Sequence, residues 1–140
     1  NAKNLSLLLH NKERNIKNVL MDQRIIAGLG NIYVCEALFK SGISPLLSAK
    51  RLVNNDKTPK KELNYLIKNI KKIIESSIML GGSSLRDYVN TQGKMGYFQK
   101  IFNVYGREGK GCISKDCSSR IRRIVQSNRS TFFCPSCQKK

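Results

Sequence analysis

Acidic residues are scarce in this chain. Nine Asp and Glu stand against 26 Lys and Arg over 140 residues, a formal net charge of +17. That shortage excludes an acidic solvating tail and argues against a near-neutral metabolic domain. A net charge of about 2–8 suffices to keep a small domain soluble, so the excess points to a polyanionic partner, either nucleic acid or an anionic membrane face. Long apolar runs are also missing. None approaches the roughly 20 residues of a membrane span, and residues 5–9 are too short and wrongly flanked for a secretory signal. Nucleic acid therefore outranks membrane, and a soluble, intracellular protein is expected. Histidine occurs once, as His10, outside any ligand pattern, and reads as a surface residue. An initial Met is absent too. The chain opens on Asn1, which reads as a processed, trimmed or partial product.

What is present is enough for a core: hydrophobic residues make up 40% of the chain. The length suits one domain or two small ones. The first half reads helical. A short apolar stretch at 5–9 precedes a segment in which Ile16, Val19, Leu20 and Met21 share one helix face. That segment stops at the turn Gly28-Leu29-Gly30. A third helix is expected from Asn31, as N-cap, to about Lys40, burying Ile32, Cys35, Leu38 and Phe39 and closed by Gly42 and Pro45. A long amphipathic helix is expected from Thr58-Pro59, with Leu63, Leu66, Ile67, Ile70, Ile73, Ile74 and Ile78 mostly in the core and Gly81-Gly82 ending it. Residues 83–111 turn rich in Ser, Gly, Asn, Gln and Tyr, the composition of a functional loop.

The tail, 112–140, reads as a separate small module. Cys112-x4-Cys117 is followed after sixteen residues by Cys134-x2-Cys137. Two close pairs flanking a hairpin-length stretch match a four-cysteine zinc ribbon holding one structural Zn2+. A module this small cannot build a sufficient core, and a metal supplies the missing stability. A pair of disulfides is the alternative, disfavoured in an intracellular protein. Strands are expected at 121–126 and 130–133, with the turn at Asn128. Cys35 lies too far away to ligate and reads as a small buried hydrophobe. The ribbon is itself basic, with Arg120 and Arg122 alternating onto one strand face. Most of its cations suit a solvated surface. Arg129, at the hairpin turn, is the one shaped to enter a DNA groove or clamp a phosphate.

The motifs also fall in a telling order: Met21-Asp22-Gln23, then Ala27 to Tyr33 (AGLGNIY), Glu36-Ala37-Leu38-Phe39 and Gly42-Ile43-Ser44-Pro45. After these come Gly81 to Tyr88 (GGSSLRDY), Gly93-Lys94, Gly96-Tyr97-Phe98, Val104-Tyr105-Gly106-Arg107, and Arg129 to Gln138 (RSTFFCPSCQ). Over nearly its whole length the chain resembles the C-terminal half of bacterial formamidopyrimidine-DNA glycosylase, the 8-oxoguanine repair enzyme. The resemblance implies a mainly α fold, with a helix–two-turn–helix domain at 1–82, a lesion-capping loop and connection at 83–111, and a small β-hairpin zinc finger at 112–140.

By the same resemblance, Asn31 would hydrogen-bond a DNA phosphate beside the lesion, and Lys17 would contact DNA nearby. Arg129 would grip the flanking phosphates and take part in the final elimination step. Ser83, Ser84, Arg86 and Tyr97 would belong to the loop that closes over the everted base. Cys112, Cys117, Cys134 and Cys137 would hold the zinc. In the family the nucleophile is the secondary amine of an N-terminal proline. Here Pro45, Pro59 and Pro135 are all internal, so the 140 residues alone are expected to bind damaged double-stranded DNA without cleaving it. The full-length protein is expected to be a DNA glycosylase/AP lyase, monomeric, without membrane attachment, and cytoplasmic at the bacterial nucleoid. The family generally has two residues between its first cysteines where four intervene here. A non-enzymatic zinc-ribbon DNA-binding module is the alternative reading, and a basic RNA-binding ribbon a more distant one.

Overall fold

The computed structural model describes residues 2–22, 29–79 and 102–140. Within them lie four helices, α1 (Ala2–Leu9), α2 (Ile16–Met21), α3 (Asn31–Ser41) and α4 (Lys61–Met79), then one hairpin of β1 (Arg122–Gln126) and β2 (Arg129–Phe133). A 3-10 turn at Ala49–Leu52 bridges α3 and α4. Among the described residues no helix is long and apolar enough to cross a membrane.

The helical region packs by the expected periodicity. In α1, Leu5 and Leu9 stand one turn apart and are buried. The Ser6 hydroxyl lies 2.9 Å from the carbonyls of both Lys3 and Lys57 and shares its one hydrogen between them, tying α1 to the loop before α4. The α2 N-cap is Asn15, whose Oδ1 accepts the Asn18 N–H at 2.8 Å. Ile16, Val19 and Leu20 then enter the core with Val34, Ala37 and Leu38 of α3 and Leu63, Leu66 and Ile70 of α4.

Two helix starts differ from the sequence reading. The N-cap of α3 is Gly30, and Asn31 is the first helical residue. The Asn31 amide is drawn elsewhere, to Ser130 in the hairpin. The long helix α4 begins at Lys61 rather than Thr58-Pro59. There Asp56 captures both the N–H and the hydroxyl of Thr58, Pro59 bridges to Val53, and the Lys60 N–H goes to Leu52. Of the α4 stripe, Ile67 and Ile73 are half-buried and Ile74 is 40% exposed, so the apolar face outruns the surface it covers. Ile32 and Phe39 of α3 are likewise only half-buried. The end of α3 is as expected: Gly42 adopts a left-handed φ of 69°, and its N–H closes on the carbonyls of Leu38 and Phe39. The stops assigned to Gly28 and to Gly81-Gly82 lie outside the described residues.

β1 and β2 pair antiparallel, with Arg122 opposite Phe133 and Gln126 opposite Arg129. Only Ser127 and Asn128 are left to turn, both at positive φ, 50° and 65°. That is the geometry of a tight hairpin whose twist matches the strands. The hairpin is not isolated. Cys35 of α3 shares a second core with Val104, Ile121, Phe132 and Cys134, and the Tyr105 and Phe132 rings meet edge-on at 4.8 Å. Cys35 is thus buried as expected, but its neighbours are the ribbon's own core residues. α3 carries the helical core on one side and the ribbon on the other.

Candidate metal centre and nucleic-acid interface

The four cysteines expected to ligate a metal converge. The Sγ atoms of Cys112, Cys117, Cys134 and Cys137 all lie within 4.8 Å of one another. Cys112 stands 3.7 Å from Cys137, and Cys117 3.7 Å from Cys134. Four sulfurs at about 2.3 Å from a central ion form a tetrahedron with edges of about 3.8 Å. A disulfide requires about 2.05 Å, and all of these thiols are free. The four-residue spacing of the first pair is accommodated by a turn in which the Cys112 N–H donates to Ser119 and the Cys117 N–H to Ser114.

The donor chemistry fits a cation as well. Cys134 is pushed up to about 12, by burial first and then by the Cys112 and Cys117 sulfurs beside it. Cys112 settles at about 7. Burial opposes its ionisation, and the Ser114 hydroxyl and N–H and the neighbouring thiols outweigh it. Thiolates this close repel one another, and a divalent ion removes the conflict.

The second coordination layer reaches into the helical part. Gln138 accepts the Cys134 N–H through Oε1 at 2.8 Å and donates through Nε2 to the Ile43 carbonyl at 2.9 Å. Across the same seam the Ser44 N–H donates to the Lys139 carbonyl, and the Lys139 N–H donates to the Gly42 carbonyl.

The other sequence-derived candidates meet at the opposite end of the hairpin. Arg129 opens β2 and is exposed. The next residue, Ser130, accepts the Asn31 Nδ2–H on its carbonyl at 2.9 Å. The residue after that, Thr131, is fully buried and accepts the Lys17 ammonium on its hydroxyl at 3.0 Å. So Asn31 of α3 and Lys17 of α2 engage positions 130 and 131 of β2, the two that follow Arg129.

The second Nδ2 hydrogen of Asn31 has no acceptor among the described residues. Its Oδ1 is buried without a hydrogen-bond partner among the described residues. Lys17 is 1% exposed. Burial holds its ammonium below the ordinary lysine range; Cys35 pulls the other way, and the Arg129 charge adds to the lowering. Between α2 and the hairpin turn lies a cleft of about 200 Å³, lined among others by Arg14, Lys17, Asp22, Gln126 and Arg129. Arg14 and Asp22 pair across it at 3.3 Å. With three cations and one carboxylate, the cleft carries an excess of positive charge. Ser83, Ser84, Arg86 and Tyr97 of the expected capping loop lie outside the described residues.

The arginines on the hairpin flanks are engaged locally. Arg120 donates to the Gly109 carbonyl at 2.7 Å, Arg123 to the Ser130 hydroxyl at 2.9 Å, and Arg122 lies over the Phe133 ring.

The sequence reading passed over one residue. Glu36 is buried, and its carboxylate accepts the N–H groups of Asn103, Val104 and Tyr105 at 2.7, 2.9 and 3.0 Å. This grips the chain just before it enters the ribbon. The available signal was an acid set among buried apolar neighbours on α3.

Comparison with known proteins agrees with this arrangement. The profile of the formamidopyrimidine-DNA glycosylase H2TH domain matches residues 1–89, and that of the zinc finger found in FPG and IleRS matches 115–140. The formamidopyrimidine-DNA glycosylase of Rhizobium meliloti is 52% identical over 124 residues, 89% of this chain and 41% of the relative. That of Rhizobium etli is 49% identical over 128 residues, 91% of this chain and 43% of the relative. Among solved structures, Lactococcus lactis Fpg in complex with DNA containing an abasic site superposes with a TM-score of 0.80 at 34% identity, covering 100% of this chain and 48% of that one. MutM in complex with DNA containing carbocyclic 8-oxo-G gives 0.79 at 34%, covering 100% and 47%. The chain therefore spans under half the length of the relatives it matches.

Proposed function

The chain belongs to the formamidopyrimidine-DNA glycosylase family, and on that premise we propose that it is the DNA-holding part of a base-excision-repair glycosylase/AP lyase. The substrate would be duplex DNA carrying oxidised purines, 8-oxoguanine and formamidopyrimidines, and the strand would be nicked by β,δ-elimination. The observation that carries the reading is the cationic cleft where α2 and the hairpin tip meet.

In this reading residues 1–82 form a helix–two-turn–helix domain and 112–140 the zinc finger. Arg129 reaches from the tip to the phosphates flanking the lesion, where a bidentate guanidinium suits a phosphate. Asn31 donates its remaining amide hydrogen to a neighbouring phosphate, beside the positive end of α3. Two grips on one strand hold the backbone strained while a base turns out of the stack. Ser83, Ser84, Arg86 and Tyr97 then cap the everted base, and Arg129 assists the elimination by stabilising the departing phosphate. Cys112, Cys117, Cys134 and Cys137 would hold one zinc ion, which supplies folding energy to the ribbon. The protein acts as a monomer at the bacterial nucleoid.

The 140 residues present no free secondary amine, since Pro45, Pro59 and Pro135 are all internal. As a polypeptide of this extent they bind DNA and form no imine with the sugar. The test is the zinc-loaded chain on duplexes with and without 8-oxoguanine. Binding should weaken with salt at a log–log slope of about −0.9 per phosphate neutralised, and Arg129→Ala should make that slope shallower by about one phosphate. Borohydride should trap no adduct. A flat salt response, or a covalent adduct, would refute the assignment.

A further inference from the structure

Lys17 is an unusual residue to place where it is. Its side chain is 1% exposed, yet its one side-chain hydrogen bond among the described residues is to a neutral hydroxyl, Thr131. A buried ammonium without a carboxylate partner is costly, and a methionine would fill the same space without that cost. Its burial also leaves the amine little surface with which to reach a phosphate. We propose that Lys17 is a positioning residue, which holds β2 through Thr131 and so sets where Arg129 stands at the hairpin tip. This rests on the reading that Arg129 grips DNA.

The geometry supports the assignment in two ways. Side chains alternate along a strand, so Arg129 and Thr131 project from the same face of β2. Lys17, anchored at Thr131, therefore lies on the Arg129 side of the strand. Two like charges on one face repel, and the repulsion keeps the guanidinium extended outward instead of folded back along the hairpin. Meanwhile Ser130, between them, has its carbonyl held by Asn31 and its hydroxyl by Arg123. Position 130 is thus fixed by α3 and position 131 by α2, while the Arg129 side chain is exposed at the tip. The remaining charged groups of the cleft, Arg14 and Asp22, pair with each other, and among the described residues no carboxylate bonds Lys17.

The experiment compares Arg129→Ala, Lys17→Met, Thr131→Val, Lys17→Met/Arg129→Ala and Lys17→Met/Thr131→Val in the zinc-loaded chain. Affinity for a duplex with an abasic-site analogue is read by fluorescence anisotropy across a salt series, with zinc content and thermal melting recorded for each protein. Arg129→Ala should weaken binding by about tenfold or more, as loss of a charged phosphate contact does. Lys17→Met and Thr131→Val should each weaken it by roughly 3- to 10-fold. Adding Lys17→Met to Arg129→Ala should cost nothing further, because residues that act through one another are not additive. The apolar pair Lys17→Met/Thr131→Val should melt no lower than the parent while still binding weakly, since both buried partners are replaced together. Additivity of Lys17→Met with Arg129→Ala, or a neutral Thr131→Val, would make Lys17 a direct contact and overturn the proposal. A melting temperature that falls in step with affinity in the apolar pair would reduce Lys17 to structural support and overturn it too. If Arg129→Ala alone leaves affinity unchanged, the failure lies with the DNA-grip reading itself.

Discussion

Removing the Glu36 carboxylate should do more damage than any other single polar truncation in α3. Its two oxygens receive three backbone N–H groups from Asn103, Val104 and Tyr105, at 2.7–3.0 Å. Hydrogen bonds to a charged group contribute about 1.5–3 kcal/mol each, and a buried donor left without an acceptor costs about 1–3 kcal/mol. The bond to Val104 is buried, whereas those to Asn103 and Tyr105 are only partly so and can be rescued by water. Glu36→Ala should therefore lose about 3–5 kcal/mol, a large share of the ~5–15 kcal/mol that holds a domain together. Glu36→Gln keeps one oxygen, which can serve Val104 and Tyr105, and turns an NH2 towards Asn103. It should lose about 1–3 kcal/mol. Urea unfolding followed by circular dichroism measures both, with Glu62→Gln on the exposed start of α4 as a control expected within about 0.5 kcal/mol of the parent. If Glu36→Ala shifts stability by less than about 1 kcal/mol, or if Gln proves as harmful as Ala, the carboxylate is not the anchor described.

Two other outcomes follow from the packing. Chelating the zinc, or replacing Cys134 by serine, should dissolve the hairpin and abolish DNA binding while leaving most helical signal, because α4 packs on α3 through the separate helical core. Loss of all ellipticity together with the metal would contradict this. Gly42→Ala should lose about 1 kcal/mol from the left-handed φ alone, since the added Cβ would meet only the Cys137 carbonyl, at an ordinary 3.5 Å. A denaturation midpoint equal to that of the parent would argue against strain there.

The sequence revealed most where local chemistry decides. Cysteine spacing located the metal centre, the glycine at 42 ended α3, and the strand alternation with Asn128 gave the hairpin to within a residue or so. It failed where a distant group competes for a side chain. Asn31 has the right chemistry for an N-cap, but a strand 99 residues further on takes its amide. Thr58 before proline is a good helix start in isolation, but Asp56 holds it in the loop. Lys17 is one of 26 cations, marked out only by resemblance and as a DNA contact. Nothing in its neighbourhood along the chain announces that it is buried against Thr131. Glu36 carries no local mark of the backbone it holds, because its partners lie 67 to 69 positions away.

The two glutamine amides of the ribbon have a practical consequence. Gln126 donates to the Pro45 carbonyl and Gln138 to the Ile43 carbonyl. The hairpin is thus fastened near both its tip and its base to the same three-residue stretch. Anyone transplanting this finger onto another scaffold would have to carry residues 43–45 with it. The natural unit of exchange is not a run of consecutive sequence from Cys112 onward. It is that run together with α3 and the short rail that follows it, and a chimera cut at the cysteine would inherit the metal without the aim.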